Sequence, residues 1–364
     1  MYEPSNIIMI LEILQKNGGF FFYNPINKRG VVGCKSELPE ELGVTTLNES
    51  EISFFAIPFF SDINKKGEGL WNTMKMGEIT FPYCYSILFS VGTQKKTTPT
   101  YVNVVDDYEK WCDLFDIIMS NIKAREVEKV VASRQVEILF DKDINLASCV
   151  LNLLKNNPQS YVFAYIYGGK AFIGATPEIL VEKCGSRIQS YAVAGTFPKC
   201  ENNEKRGKEL LNDIKNNHEH KIVIDEIVST MRTVTNKVSI GMTELMELKN
   251  LFHLKTSIVA TDGQKNLIEW VRLLHPTPAM GGKPRKKALK LIEKYEQHDR
   301  GLFAAPIGIV EKNGDGIFVV GIRSALIDGN KIYAYAGCGI VEQSDCREEY
   351  EETNTKLRTI LEAL

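Results

Sequence analysis

The stretch GIFVVGIRSALIDGNKIYAYAG, residues 316–337, decides the fold class. Its apolar residues fall in short β-branched and aromatic runs, too short for a helix of ordinary length. Asp328-Gly329 interrupts them, and an Asp-Gly pair between such runs is the turn of a hairpin. A hairpin joins antiparallel neighbours, whereas a parallel pair needs a long crossover. The same pattern extends upstream. YVFAYIY (161–167), AFIGAT (171–176), EILVEKC (178–184) and RIQSYAVAG (187–195) read as strands separated by Gly168-Gly169, Pro177 and Gly185-Ser186. VEKVVASRQVEILF (127–140) reads as another. Helices are expected where Trp111, Leu114, Phe115, Ile118 and Ile122 recur behind an acidic cap, over NLASCVLNLLKNN (145–157), from about Glu204 to Val234, and from Ser344 to the end. The first hundred residues read as one helix and then aromatic strands such as GGFFFYNP and FFAIPFF. The expectation is an α+β protein built on antiparallel β-sheets. A boundary near residue 105 would divide a strand-rich N-terminal part, residues 1–105, from residues 106–364, either as two domains or as layers of one.

Composition excludes several classes. The chain has 364 residues, 44% hydrophobic and 25% charged, the usual globular balance. A net charge of −2 provides no field for nucleic acid or an anionic membrane surface. No segment reaches the roughly 18 apolar residues of a membrane span. The N-terminal apolar run carries Glu3 and Glu12 and lacks a small-residue cleavage site, so it does not read as a signal peptide. Eight cysteines without CxxC spacing read as reduced thiols of a cytoplasmic protein, mostly packing atoms.

Several clusters could carry chemistry. In the last helix Glu349, Glu352 and Lys356 share one face beside an apolar stripe of Tyr350, Thr353, Leu357 and Ile360. They form either a solvated Glu–Lys face or a Mg²⁺ site, since hard carboxylates plus water suit that ion. Glu219 lies between His218 and His220 in NNHEHKIVIDEIV. That triplet suggests zinc, but histidines two apart diverge on a helix and HExxH spacing is absent. GCGIVE (337–342) follows a strand, yet Glu342 stands where a third glycine belongs, and the acids beyond it would repel a pyrophosphate. KPRKKALKLIEKYEQHDR (283–300) reads as an exposed basic helix. In GATPEIL, Thr176-Pro177-Glu178 is either a helix cap or a bend between strands. Lys129 stands among Val127, Val130 and Val131. It either snorkels from an edge or is buried, where loss of water would suit its amine to take a proton. HPTPAMGGKPR (275–285) is rigid in its proline half and bare at Gly281-Gly282, where a backbone could come close to a ligand. His275 either orients groups there or belongs to a purely structural turn.

Ten motifs in order, KVVASR, GATPEIL, AVAGTFP, HEHKIVIDEI, LFHLKTSI, LHPTPAMGGKP, DRGLFAAPIG, IRSALI, YAGCGIV and EEYEETNTK, resemble the chorismate-utilising enzymes over about residues 115–364. That family includes isochorismate, salicylate, anthranilate and aminodeoxychorismate synthases. The resemblance implies a single large domain with layered antiparallel β-sheets flanked by helices, in which residues 1–105 are a variable N-terminal part, together with a Mg²⁺ cofactor and a chorismate-binding catalytic core over residues 106–364. Within the family the chain most resembles isochorismate synthases. Lys129 stands where amine-transferring relatives typically have Gln. Ala194 stands where aminodeoxychorismate synthases often place a nucleophilic lysine. HPTPAMGG is similar to the isochorismate-synthase form of that segment. One departure is Asn216, where some relatives carry a second acid.

What the resemblance implies is the isomerisation of chorismate to isochorismate, feeding menaquinone or siderophore biosynthesis. Salicylate synthase is the alternative, or an anthranilate or aminodeoxychorismate synthase component. Lys129 would activate the water attacking C2 and Glu178 would protonate the departing C4 hydroxyl. Glu219, Glu349 and Glu352 would hold Mg²⁺, and Arg323 would grip a carboxylate. Gly195, Thr196, His253, His275, Thr277, Ala279, Gly337, Gly339 and Lys356 would complete the substrate contacts. The chain is expected to act as a cytoplasmic monomer, with no obligatory glutamine amidotransferase partner, nucleic acid or membrane. A catalytically dead chorismate sensor and a zinc hydrolase built on HEH are the readings from other classes.

Overall fold

The structure, a computed structural model, describes residues 4–42, 44–48, 51–60, 70–71, 73–88, 103–104, 107–199 and 203–364. The chain runs α1 (Pro4–Asn17), β1 (Gly19–Asn24), β2 (Arg29–Cys34), β3 (Thr45–Leu47), β4 (Ile52–Ala56), β5 (Gly77–Ile79), β6 (Tyr83–Leu88) and β7 (Asn103–Val104). It continues through α2 (Tyr108–Lys123), β8 (Lys129–Leu139), α3 (Leu146–Asn156), β9 (Tyr161–Tyr167), β10 (Lys170–Thr176), β11 (Ile179–Cys184) and β12 (Arg187–Pro198). Then come α4 (Asn203–Asn212), α5 (Ile214–Arg232), β13 (Val238–Glu247), β14 (Leu251–Thr261), α6 (Leu267–Leu274), β15 (Gly282–Lys283) and α7 (Arg285–Tyr295). Last are β16 (Pro306–Glu311), β17 (Gly316–Val320), β18 (Ser324–Asp328), β19 (Lys331–Ile340) and α8 (Cys346–Leu361).

Two antiparallel sheets result. One has eleven strands in the order β15-β8-β19-β18-β10-β9-β1-β2-β6-β3, with β7 also on β8. The other has eight in the order β13-β14-β12-β11-β17-β16-β4-β5. This is the α+β, antiparallel architecture expected from the turns, layered as the resemblance implies. The N-terminal strands build no sheet of their own. β1 pairs with β9 and β4 with β16, so they extend both layers. Residues 105–106, where the boundary was expected, lie outside the described residues.

Alternation explains the packing. In β9, Tyr161, Phe163 and Tyr165 face the core between the sheets, where they meet Phe20, Phe54, Phe172 and Phe318. Val162, Ala164 and Ile166 face the second core, under α1, α3 and α8. A third cluster joins α2 and α7 to β8 and Tyr350.

The opening stretch holds three strands. The Asp-Gly hairpin is present: Asp328 pairs with Lys331, and Gly329 turns at φ 59°. The run before it, however, is β17 of the other sheet, so the chain changes layers at Gly321–Arg323. It makes the same change at Pro177–Glu178, between β10 and β11. Thr176-Pro177-Glu178 is therefore the bend between strands. The two crossings bond to each other: Val320 N donates to Glu178 O at 3.0 Å, and Ala175 N to Arg323 O at 3.1 Å.

Other differences have local causes. The helical pattern from Glu204 to Val234 is two helices, broken where the Asp213 side chain accepts from Asn216 N and caps α5. α8 starts at Cys346, two residues later than expected, with Asp345 accepting from the amides of Arg347 and Glu348. β13 is an exposed edge strand with Met242 91% exposed, and the alternation of Val238, Ile240 and Met242 in it is not one of burial.

The glycines of HPTPAMGGKPR serve strand pairing. Gly281 O accepts from Val131 N at 2.9 Å, and Gly282–Lys283 pair with Val130–Lys129. A Cβ on Gly282, at φ 142°, would press into Lys129 O and lie 2.7 Å from Ala288 Cβ. The close approach is thus to the start of β8 and not to a ligand. Gly282→Ala is expected to destabilise the chain by about 1–3 kcal/mol. Gly281→Ala, whose nearest new neighbour is Pro276 at 3.3 Å, should cost less than half as much. Urea midpoints compare them, and equal midpoints would contradict the pairing argument.

Candidate active site

The two crossings open onto a cavity between the sheets that encloses about 700 Å³ including its mouth. β8 contributes Lys129 and Val131, and the first crossing Pro177 and Glu178. β12 gives Ala194, Gly195 and Thr196, α5 gives Glu219, and β14 gives His253. Ala279, Met280, Phe303 and Ala304 form an apolar side. The second crossing gives Ile322 and Arg323, β19 gives Tyr335 to Gly339, and α8 gives Glu352 and Lys356. The structure thus brings twelve of the fifteen residues singled out above to one wall or another.

The other three lie elsewhere. His275 is turned toward Phe59: its Nε2 donates to Phe59 O at 3.2 Å and its ring meets the Phe59 ring edge-on at 5.4 Å. Burial lowers its pKa to about 4, so the imidazole is neutral. It belongs to a structural turn. Thr277 is buried outside the cavity lining, with its carbonyl accepting from Met280 N and Gly281 N. Ala279 and Met280 are the residues of that segment that face inward. Glu349 is buried behind Glu352 and holds Lys215, Oε1 to Nζ 2.7 Å.

Lys129 is buried, 1% exposed, so it does not snorkel. Glu219 Oε1 lies 2.8 Å from its Nζ, a partner that the residue pattern alone did not assign to it. Burial alone would raise the carboxyl of Glu219, but Lys129 holds it below its usual range. Gly339 makes room for this pair, since a Cβ there would press on Glu219 Oε1 and lie 2.5 Å from Lys129 Cε. Lys356 Nζ bonds both Glu352 Oε1, at 2.5 Å, and the Gly337 carbonyl, at 2.9 Å.

Glu178 behaves oppositely. Burial pushes its carboxyl up to about 8, against the lowering pull of Lys129, Lys356 and Arg323. At neutral pH it carries a proton, so the cavity presents a proton donor as well as a lysine. Arg323 is held in a left-handed backbone conformation, φ 51°, uncommon for a side-chain-bearing residue. Its Nη2 lies 2.9 Å from His253 Nε2. A guanidinium only donates, so Nε2 accepts and Nδ1 carries the hydrogen. Nδ1 is 3.0 Å from Thr196 Oγ1 and 3.3 Å from Gly195 O. Burial first, then Arg323, keeps His253 well below its ordinary pKa and hence neutral. His253 orients the arginine as much as it lines the cavity.

Gly195, at φ 76°, sits where β12 slips register against β14, and its absent Cβ would lie 3.0 Å from Asn216 Cβ. Asn216 is a brace: Oδ1 accepts from Thr196 N at 2.8 Å and Nδ2 donates to Asp213 at 2.7 Å. His218 is exposed while His220 is buried 2.8 Å from Thr256 Oγ1, so the two do not share a ligand position. Lys215 and the walls Met280, Phe303, Ile322 and Tyr335 carried no signal in the residue pattern. A helix lysine and core-type apolar residues look ordinary until the fold juxtaposes them.

Two acids of one cavity, Glu219 and Glu352, with Glu349 behind, are the hard oxygen donors present. Glu349 is raised by burial and then by the charge of Glu352, against the lowering pull of Lys215. Among the described residues no three His, Cys, Asp or Glu side chains gather as a ready-made metal cage. Mg²⁺ does not need one, because it keeps waters and takes one or two carboxylates plus substrate oxygens. The donor set fits that ion.

Comparison with known proteins places the chain in a family. Residues 86–364 match the family described as chorismate binding enzyme. The chain is 38% identical over 263 residues to isochorismate synthase MenF of Bacillus subtilis, covering 71% of this chain but only 56% of that protein. It is 30% identical over 367 residues to isochorismate synthase EntC of Escherichia coli, covering 94% and 93%. The solved structure of MenF, the menaquinone-specific isochorismate synthase of Escherichia coli, superposes with a TM-score of 0.80 over 96% of this chain and 91% of that one. At 21% identity that likeness speaks for the fold.

The proton on Glu178 predicts a stability signature. Its folded pKa, about 8, lies above the ordinary value of 4.5. Between these values the folded chain holds a proton the unfolded chain has lost, so this residue's contribution falls as pH rises and is flat above pH 8. Glu178→Gln removes that slope. Relative to the native chain, the variant should gain roughly 1–4 kcal/mol between pH 5 and pH 9. Denaturant unfolding at both pH values checks it; parallel behaviour of the two chains would mean that Glu178 is ionised in the fold.

Proposed function

Because the chain belongs to the chorismate-binding enzyme family, we propose that it is a Mg²⁺-dependent isochorismate synthase, an isomerase that adds a water-derived hydroxyl at C2 of chorismate as the C4 hydroxyl leaves. One observation carries the reading: a buried lysine and a protonated carboxyl, Lys129 and Glu178, line the same cavity together with an oriented arginine. Base and acid in one site are what addition of water at one carbon and loss of hydroxyl at another require.

Chorismate carries two carboxylates. Arg323, held by His253, takes one as a fork donor, and Lys356 and the Thr196 hydroxyl add donors. Glu219 and Glu352, with Glu349 alongside, would hold Mg²⁺, which supplies counter-charge for the other carboxylate. For this step Lys129 first gives the proton of its ion pair to solvent, which leaves its contact with Glu219 a hydrogen bond; the free amine then receives a proton from the water that bonds to C2. The ring double bonds shift as the C4–O bond breaks. Glu178 gives its proton to the leaving hydroxyl, so one water enters and one departs. Both side chains return to their starting protonation by exchange with solvent. Phe303, Met280 and Ile322 keep bulk water from the ring. Water is the nucleophile, so no glutamine amidotransferase partner is needed, and the chain works as a cytoplasmic monomer. Its product feeds menaquinone or siderophore formation. No helix among the described residues is long and apolar enough to cross a membrane.

The assay is incubation with chorismate and Mg²⁺ and chromatographic separation of products. Isochorismate is expected, while salicylate or anthranilate as the main product would overturn the assignment. Lys129→Ala is expected to lower kcat by about 10²–10⁴-fold with little change in KM, the usual worth of general-base help. Glu178→Gln should abolish turnover yet bind chorismate, and its binding should no longer weaken above pH 8, because no carboxylate forms there to repel the dianion. Retained turnover would make Glu178 structural. Glu352→Gln should weaken Mg²⁺ binding measured by calorimetry without substrate, and an unchanged isotherm would remove Glu352 from the metal site.

A further inference from the structure

Two half-exposed cysteines meet outside the cavity. Cys112 stands in α2 and Cys346 opens α8, and their Sγ atoms are 3.4 Å apart. Other described cysteines differ: Cys34, Cys84, Cys149 and Cys338 are buried, and Cys184 is exposed. The backbone around the pair is fixed from both sides. Trp111 Nε1 donates to the Cys346 carbonyl at 3.2 Å. The Arg347 guanidinium lies over the Tyr108 ring at 4.7 Å, tying the same two helices together. The Cys346 thiol donates to the Cys112 sulfur, which leaves Cys112 as the better placed nucleophile. Neither residue lines the cavity or touches a group assigned to the reaction.

We propose that Cys112 and Cys346 form a dithiol modification site, oxidised to a disulfide by low-molecular-weight disulfides, and that closing it fastens the first turn of α8 to α2. Glutathione disulfide serves as the oxidant. The Cys112 thiolate, its proton lost to solvent, attacks one sulfur of the oxidant and releases one glutathione thiol. The Cys346 thiolate then attacks the mixed disulfide at Cys112 Sγ and releases the second. Two protein thiols are oxidised, one external disulfide is reduced to two thiols, and the protons balance. The sulfurs need to approach by about 1.4 Å to reach bonding distance, a movement of side-chain size. The bridge would join positions 234 residues apart and so restrict the unfolded chain strongly. It also anchors the helix that carries Glu349, Glu352 and Lys356.

The test uses the full native chain. It is incubated with glutathione disulfide, the remaining thiols are alkylated, and the peptides are mapped by mass spectrometry. The expected result is a linked Cys112–Cys346 peptide, no glutathione retained on either cysteine, and a Tm several degrees higher that dithiothreitol reverses. Cys112→Ser should keep the basal turnover, yield no linked peptide and show no rise in Tm. Glutathione retained on Cys112 or Cys346, or modification confined to Cys184, would overturn the proposal, as would a linked chain whose Tm is unchanged or lower. Peptide mapping of the native chain decides between these outcomes even where the variant folds poorly.

Discussion

The buried ion pair of Lys129 and Glu219 is the contact on which the site depends. Lys129 begins β8 of the eleven-stranded sheet, while Glu219 stands on α5, which packs on β12 and β14 of the eight-stranded one. At 2.8 Å the pair therefore joins the two layers across the cavity. Removing one partner of such a pair leaves a buried charge uncompensated, which costs about 3–5 kcal/mol in comparable cases. Its neighbours are chosen around it. Gly339 lacks the Cβ that would collide with both side chains, and Gly282 lets β15 lie against the Lys129 backbone.

The two crossings between layers supply the rest of the chemistry. A strand buries alternate residues on its faces, but a residue at a crossing points along the gap between sheets. Glu178 and Arg323 occupy such positions, and each crossing's backbone is bonded to the other's. Burial outweighs the pull of Lys129, Lys356 and Arg323 and keeps Glu178 protonated, while Arg323 has His253 to hold its fork. One fold thus sets two acids in one cavity to opposite states: Glu219 ionised beside its lysine, Glu178 neutral.

Much of this was legible in the chain. Asp328-Gly329 and the Gly- and Pro-punctuated strands marked antiparallel sheets, and the ordered motifs brought together most of the site. What stayed hidden is long-range. Nothing local distinguishes β17, which changes sheets, from a strand that continues its hairpin. The Lys129–Glu219 pair spans ninety residues of sequence, and Lys215 looks like any surface lysine until Glu349 meets it. His275 misled for a physical reason. A histidine in a rigid turn looks aimed at a ligand, but its hydrogen bond goes to the Phe59 carbonyl, contributed by a distant segment. Lys129 shows the same limit: flanking valines signal burial, whereas a charge partner on another element leaves no local mark.

The central claim is that Lys129 and Glu178 together exchange one hydroxyl for another through water. Turnover of chorismate in ¹⁸O-labelled water, with the product analysed by mass spectrometry, tests it most directly. The account predicts isochorismate carrying one ¹⁸O, at the C2 hydroxyl, from the first turnover. Unlabelled isochorismate would contradict it, since the hydroxyl would then have migrated within the substrate and Lys129 would have no water to activate.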